Sequence, residues 1–245
     1  MFMLSTTTKQ EASLTQDTIS IGGHGQAKEI IGRFLRNKAA VFGLAIVVFL
    51  LFCAIFPQAL TQYDPIEQDL RNRFAAPSSE HYFGTDEYGR DIFARVIYGC
   101  RTSMEIGLLS VAVSCGSIAG YARVVRVSVL STKGMEYVEA AYATGASDAR
   151  IIFKYILPNC LAPIIVQATM SVATTIMTAT GLSFLGLGVP APTPEWGAMA
   201  SSSRAYIRDY WWLVTFPGIA IMITAFSFNL FGDGLRDALD PKLKS

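Results

Sequence analysis

The chain has 245 residues, 51% of them hydrophobic and 16% charged, with 20 Lys and Arg against 19 Asp and Glu. Soluble domains carry nearer a quarter of charged residues, so this composition favours lipid over water. The net charge of +1 gives no basis for a nucleic-acid or strongly acidic partner.

Residues 1–26 are rich in Thr, Ser, Gln and Gly without an early apolar run, and read as a disordered tail and not as a cleaved secretory signal. Four later stretches carry no side chain ionised at neutral pH: 39–63, 106–122, 155–194 and 210–232. A bilayer core of about 30 Å needs about 20 helical residues. The first and last stretches meet that length, the third contains a span between Pro163 and Pro190, and the second is the shortest and is rich in Gly and Ser. Four spans are therefore expected. Lys28, Arg33, Arg36 and Lys38 precede the first and place that end in the cytoplasm. Residues 60–103 and 189–208 are then external, while 123–154 and the tail from Asp233 are cytoplasmic. Arg123, Arg126, Lys133, Arg150 and Lys154 in the middle loop and Arg236, Lys242 and Lys244 in the tail agree with this. The first external loop also holds arginines, but acids accompany them and a loop of this length counts little in the charge rule.

Within that loop, Thr85 or Asp86 is expected to cap a helix whose residues Ile92, Phe93, Val96 and Ile97 form an apolar stripe along the membrane surface. The alternative role for residues 84–91 is an external gate or a contact with a substrate-delivery protein. The four cysteines, Cys53, Cys100, Cys115 and Cys160, include no C-x-x-C pair, and His24 and His81 lie in different polar segments. Neither a disulfide framework nor a metal site is indicated, and no cofactor is expected. Gln167 and Asn229 are polar residues inside spans, suited either to the solute path or to hydrogen bonding between helices.

The middle loop, 133–158, is the most informative. Strong helix formers over 135–144 present small side chains at Ala140, Ala141 and Ala143. Gly145 suits a left-handed position that ends the helix. Ser147 is placed to cap a second short helix, with Asp148 at its positive end and Arg150 farther on. Two short helices at a sharp turn make a knob that fits a groove on another protein.

Glu139-Ala-Ala-x-x-x-Gly145 followed by Leu157-Pro158 resembles the cytoplasmic loop motif of permease subunits of binding-protein-dependent ABC importers. The blocks at 84–91, 157–166, 182–188, 192–197 and 232–244 extend the resemblance to the dipeptide, oligopeptide and nickel permease family, C-type subunit. The fold implied is all-α, a polytopic membrane helix bundle of the type I ABC importer kind, with about four spans instead of the family's usual six. Its parts are a cytoplasmic N-terminal tail (1–38), a first span and external loop (39–100), a permease domain (101–232) shortened near 118–120, and a cytoplasmic tail (233–245).

By the same resemblance, Glu139, Ala140, Ala141, Gly145, Ala146 and Pro158 belong to a coupling loop that docks on a separate ATP-hydrolysing subunit. The implied partners are a second permease subunit, two ATP-binding subunits, an extracytoplasmic solute-binding protein and the lipid of a bacterial inner membrane. Tyr155 stands where the family motif usually has Ile. Di- and oligopeptides are the implied cargo, with nickel or another small solute as the alternative. Losing two spans keeps the parity, so the loop still faces the cytoplasm. A second role is that of a transport-incompetent adaptor or truncated paralogue that still docks the ATPases. The chain has no G-x-x-x-x-G-K-[ST] phosphate loop of its own. An intramembrane enzyme is the remaining class; Ser183 comes nearest to a nucleophile, but the spacing from Gly181 to Gly186 is wrong for a nucleophile elbow.

Overall fold

The computed structural model describes residues 23–113 and 118–239, and these are mainly helical. The expected tail falls largely outside the described residues, but its last part is helical: α1 spans Gly23–Arg36 and lies against the helix that follows it and the last helix of the fold. Phe34 is buried with Ala40 and Ala238, and its ring meets Phe231 edge-on at 5.8 Å.

α2, Lys38–Ile55, begins at Asn37, whose side chain accepts from the Ala40 N–H at 3.2 Å and donates to Asp237 at 3.3 Å. Asp237 belongs to the last helix, which we number α9, Trp212–Leu239. The two helices are antiparallel and very close. A Cβ on Gly43 would lie 2.8 Å from Leu230, and one on Gly234 would collide with Ala40. Small residues allow this approach, which in lipid takes the place of a hydrophobic driving force.

At the second expected span the structure describes two helices, α3 (Ile92–Val113) and α4 (Ile118–Lys133), neither of which is long and apolar enough to span on its own. Both run antiparallel to α7, Leu157–Phe184. A Cβ on Gly107 of α3 would abut Ile176, and the Tyr121 hydroxyl of α4 donates to Ser171 at 3.3 Å. The charge-free stretch at 106–122 is short because α3 carries Arg95, Arg101 and Glu105 before it. Three helical stretches among the described residues are long and apolar enough to span on their own: Lys38–Ile55, Asp148–Phe184 and Trp212–Leu239. The third expected span starts earlier than Pro163, which sits inside the helix and costs it one backbone bond without ending it.

At the end of the bundle where α3 and α9 begin, a layer is built around residues 57–91 and the short helix α8, Trp196–Ser202. Two expectations are corrected here. The cap of α3 is Asp91, whose Oδ1 accepts from the Ala94 N–H at 2.6 Å, and not Thr85 or Asp86. The stripe does not lie along the membrane surface either, because Ile92 and Val96 are buried in the protein core with Trp196 and Trp212. Phe83 stacks on Phe216 at 3.9 Å, and the Trp196 indole donates to the Val96 carbonyl at 2.9 Å.

Asp86 instead organises the turn. It is 5% exposed and accepts from the Tyr88 and Arg90 N–H groups and from Arg90 Nε at 2.6 Å, with Arg95 Nε at 3.6 Å. Arg95 Nη1 in turn donates to the Pro65 carbonyl at 2.8 Å and the Pro192 carbonyl at 3.3 Å, tying the segment before α3 to the one before α8. Asp86→Ala leaves two buried guanidinium groups beside one another and is expected to cost about 3 kcal/mol or more. Thermal unfolding of the detergent-purified chain checks this, with Asp86→Asn showing a smaller fall in midpoint because it keeps the side-chain shape and an acceptor oxygen.

Candidate functional site

The loop between α4 and α7 lies at the opposite end of the bundle, the same end as Asn37 of α2 and Asp237 of α9. It contains α5, Glu136–Ala143, and α6, Asp148–Ile151. Met135 occupies the cap position of α5, and Glu136 and Glu139 stand in its first turn, where carboxylates meet the positive end of the helix dipole.

Gly145 ends α5 at φ +76°. The Ala146 N–H donates to the Ala141 carbonyl at 3.1 Å and the Gly145 N–H to the Tyr142 carbonyl at 3.0 Å. These are the paired bonds of a Schellman cap, which require the left-handed residue found here. Ser147 holds the cap position of α6, but its side chain makes no capping bond.

An apolar cluster of its own fixes the loop. Val138 and Ile151 are fully buried, and Ala141, Ile156 and Cys160 are packed with them beside Val129, Ala146 and Tyr155. From Asp148 the chain continues into a π-helical turn, Ile152–Ile156, and then α7, with Pro158 in its first turn. The knob is therefore anchored to the base of a spanning helix and is not a free loop.

The structure divides the expected contact residues. Glu139, Ala140, Gly145 and Pro158 are exposed, Ala146 is half-buried, and Ala141 is buried in the loop's own core. A Cβ on Gly145 would meet nothing within 4 Å, so the space over the turn is open. The structure also exposes residues that sequence reasoning missed: Tyr142 at 47% and Phe153 at 70%. The signal was present, since Val138, Ala141 and Ile151 take the inward positions and leave these rings outside.

Gln167 and Asn229 both lie on exposed faces of α7 and α9, and neither side chain makes a hydrogen bond to another described helix. Ser183 is buried under the backbone of Gly188 and Gly197, with no hydrogen-bonded base beside it among the described residues.

Residues 41–245 match the family described as binding-protein-dependent transport system inner membrane component. The chain belongs to this family of ABC importer permeases. Among the family's dipeptide permeases, the dipeptide transport system permease protein DppC of Alkalihalophilus pseudofirmus is 40% identical over 275 aligned residues, covering 89% of this chain and 90% of the relative. The di/tripeptide transport system permease protein DppC of Pseudomonas aeruginosa is 37% identical, covering 89% and 93%. The dipeptide transport system permease protein DppC of Escherichia coli is 38% identical, covering 86% and 91%. Since 89% of 245 residues is about 218, about 57 of the 275 positions aligned with the first relative have no counterpart in this permease.

Proposed function

We propose that this chain is a membrane-spanning subunit of an ATP-driven importer for di- or oligopeptides, working with a second permease subunit, two ATP-hydrolysing subunits and a solute-binding protein, and that its loop at 133–158 docks on one of the ATP-hydrolysing subunits on the cytoplasmic side. The peptide cargo rests on the names of the relatives. The docking role rests on one observation: a knob with its own apolar core holds Glu139, Ala140 and Gly145 outward, with open space above the turn. Small side chains permit close approach, and the anchored knob transmits a displacement to α7 as a rigid body.

Large rings at the edge of such a patch are the residues that carry interface energy. Tyr142→Ala and Phe153→Ala are each expected to weaken binding of the ATP-hydrolysing subunit about 30-fold, the scale of a 2 kcal/mol contact. Titration of the subunit against the chain in nanodiscs measures this; binding unchanged in both variants contradicts docking through this face.

The alignment favours a second reading. About 57 missing positions correspond to two spans of about 20 residues with their loops. If they fall near 118–120, between α3 and α4, the ATPases still dock while the solute path lacks part of its wall. Reconstitution with the partner subunits separates the two: uptake of a labelled dipeptide supports a working importer, and docking without uptake supports an adaptor.

A further inference from the structure

We infer that Asn159 is a positioning residue, tying α5 to the base of α7 by giving one amide hydrogen to Tyr137 and the other to the carbonyl of Tyr155. Its significance for transport rests on the docking reading above.

The Asn159 Nδ2 lies 3.1 Å from Tyr137 Oη and 2.7 Å from the Tyr155 carbonyl. The carbonyl can only accept, so the amide orientation is set by the contact itself. Both N–H bonds of one side chain are thus committed, one along the helix and one across to the knob.

The base of α7 is where such a tie has most effect. The turn Ile152–Ile156 is π-helical, with the Leu157 N–H bonded five residues back to the Ile152 carbonyl. Pro158 has no N–H to give to the preceding turn, and Pro163 has none for the Asn159 carbonyl. Backbone bonding is therefore thin where the knob joins the span, and the Asn159 amide adds a side-chain bond across this turn, to the Tyr155 carbonyl.

α5 has eight residues, too few to hold a helix without tertiary support. The packing of Val138 and Ala141 supplies attraction but little direction. The bond from Asn159 is directional, and the Tyr137 ring also lies 6.5 Å from that of Tyr155. Partial burial pushes the Tyr137 phenol above its ordinary pKa, with the Asn159 bond acting in the opposite sense, so the hydroxyl stays protonated at neutral pH. Together these fix the angle at which Glu139 and Gly145 are presented.

A double-mutant cycle on the full chain in nanodiscs tests this. Tyr137→Phe and Asn159→Ala are each expected to raise hydrogen exchange over 136–144 about fivefold, the scale of one net hydrogen bond. Exchange over 165–184 and the thermal midpoint should stay unchanged, and the double variant should exceed neither single. Tyr137→Phe should also weaken binding of the ATP-hydrolysing subunit about fivefold. Additive effects, or no effect of Tyr137→Phe on exchange, overturn the tie. Faster exchange with unchanged affinity overturns the positioning role. If the unaltered chain binds no ATP-hydrolysing subunit, the docking reading fails while the exchange cycle still decides whether the tie exists.

Discussion

Gly145→Val should weaken binding of the ATP-hydrolysing subunit about 100-fold, the largest effect expected of any single substitution in the loop. Two costs combine. Gly145 sits at φ +76°, and a β-branched residue held in the left-handed region loses on the order of 1–3 kcal/mol. The Schellman bonds from Gly145 and Ala146 depend on that conformation, so relaxing the strain turns α6 relative to α5. The second cost arises at the partner. The region above Gly145 is open in the isolated chain, so added methyl groups meet nothing until another protein approaches. Gly145→Ala carries the strain with a smaller side chain and should lose about tenfold. Equilibrium binding to the chain in nanodiscs measures both variants, and the order unaltered, Ala, Val is the expected ranking.

The second large effect concerns transport. On the adaptor reading, inserting the aligned segment of a dipeptide permease relative between α3 and α4 should raise dipeptide uptake in proteoliposomes from background to at least tenfold above it, leaving ATPase docking unchanged, whereas on the importer reading the unaltered chain already transports. The physical reason lies on the exposed faces. Ile118, Val127 and Leu130 of α4 are each 63% exposed, and helices in lipid are held by matched packing surfaces instead of by exclusion from water. If the unmatched positions are two helices of the bundle, these faces meet lipid or a rearranged neighbour in their place. Uptake by the unaltered chain equal to that of the extended one would show that the shortened bundle already encloses a path.

The sequence revealed those parts of the fold and site that depend on local chemistry. Charge-free runs located α2, α7 and α9, and the demand for a residue without a Cβ located the turn at Gly145. What it missed was set by tertiary contacts. Pro163 looked like a helix start, yet the helix passes through it because the packing of Cys160, Val166 and Val172 holds both sides. The apolar stripe at Ile92 and Val96 has the same pattern whether it meets lipid or protein. Trp196 and Trp212, far away in the chain, decide that it meets protein. Ala140 and Ala141 are indistinguishable as letters, but one faces outward and the other packs beneath the knob. The roles of Asn37 and Asp237 were hidden in the same way, since each is an ordinary polar residue until α2 and α9 lie side by side.

The most direct test places a photo-reactive residue at position 140 in the full chain, co-expressed with its partner subunits, with a second one at position 178 of α7 for comparison. Docking through the knob predicts a cross-link from position 140 to the ATP-hydrolysing subunit and none from position 178. A probe at position 140 that is reached only from outside sealed cells, or that forms no cross-link to that subunit, would contradict it.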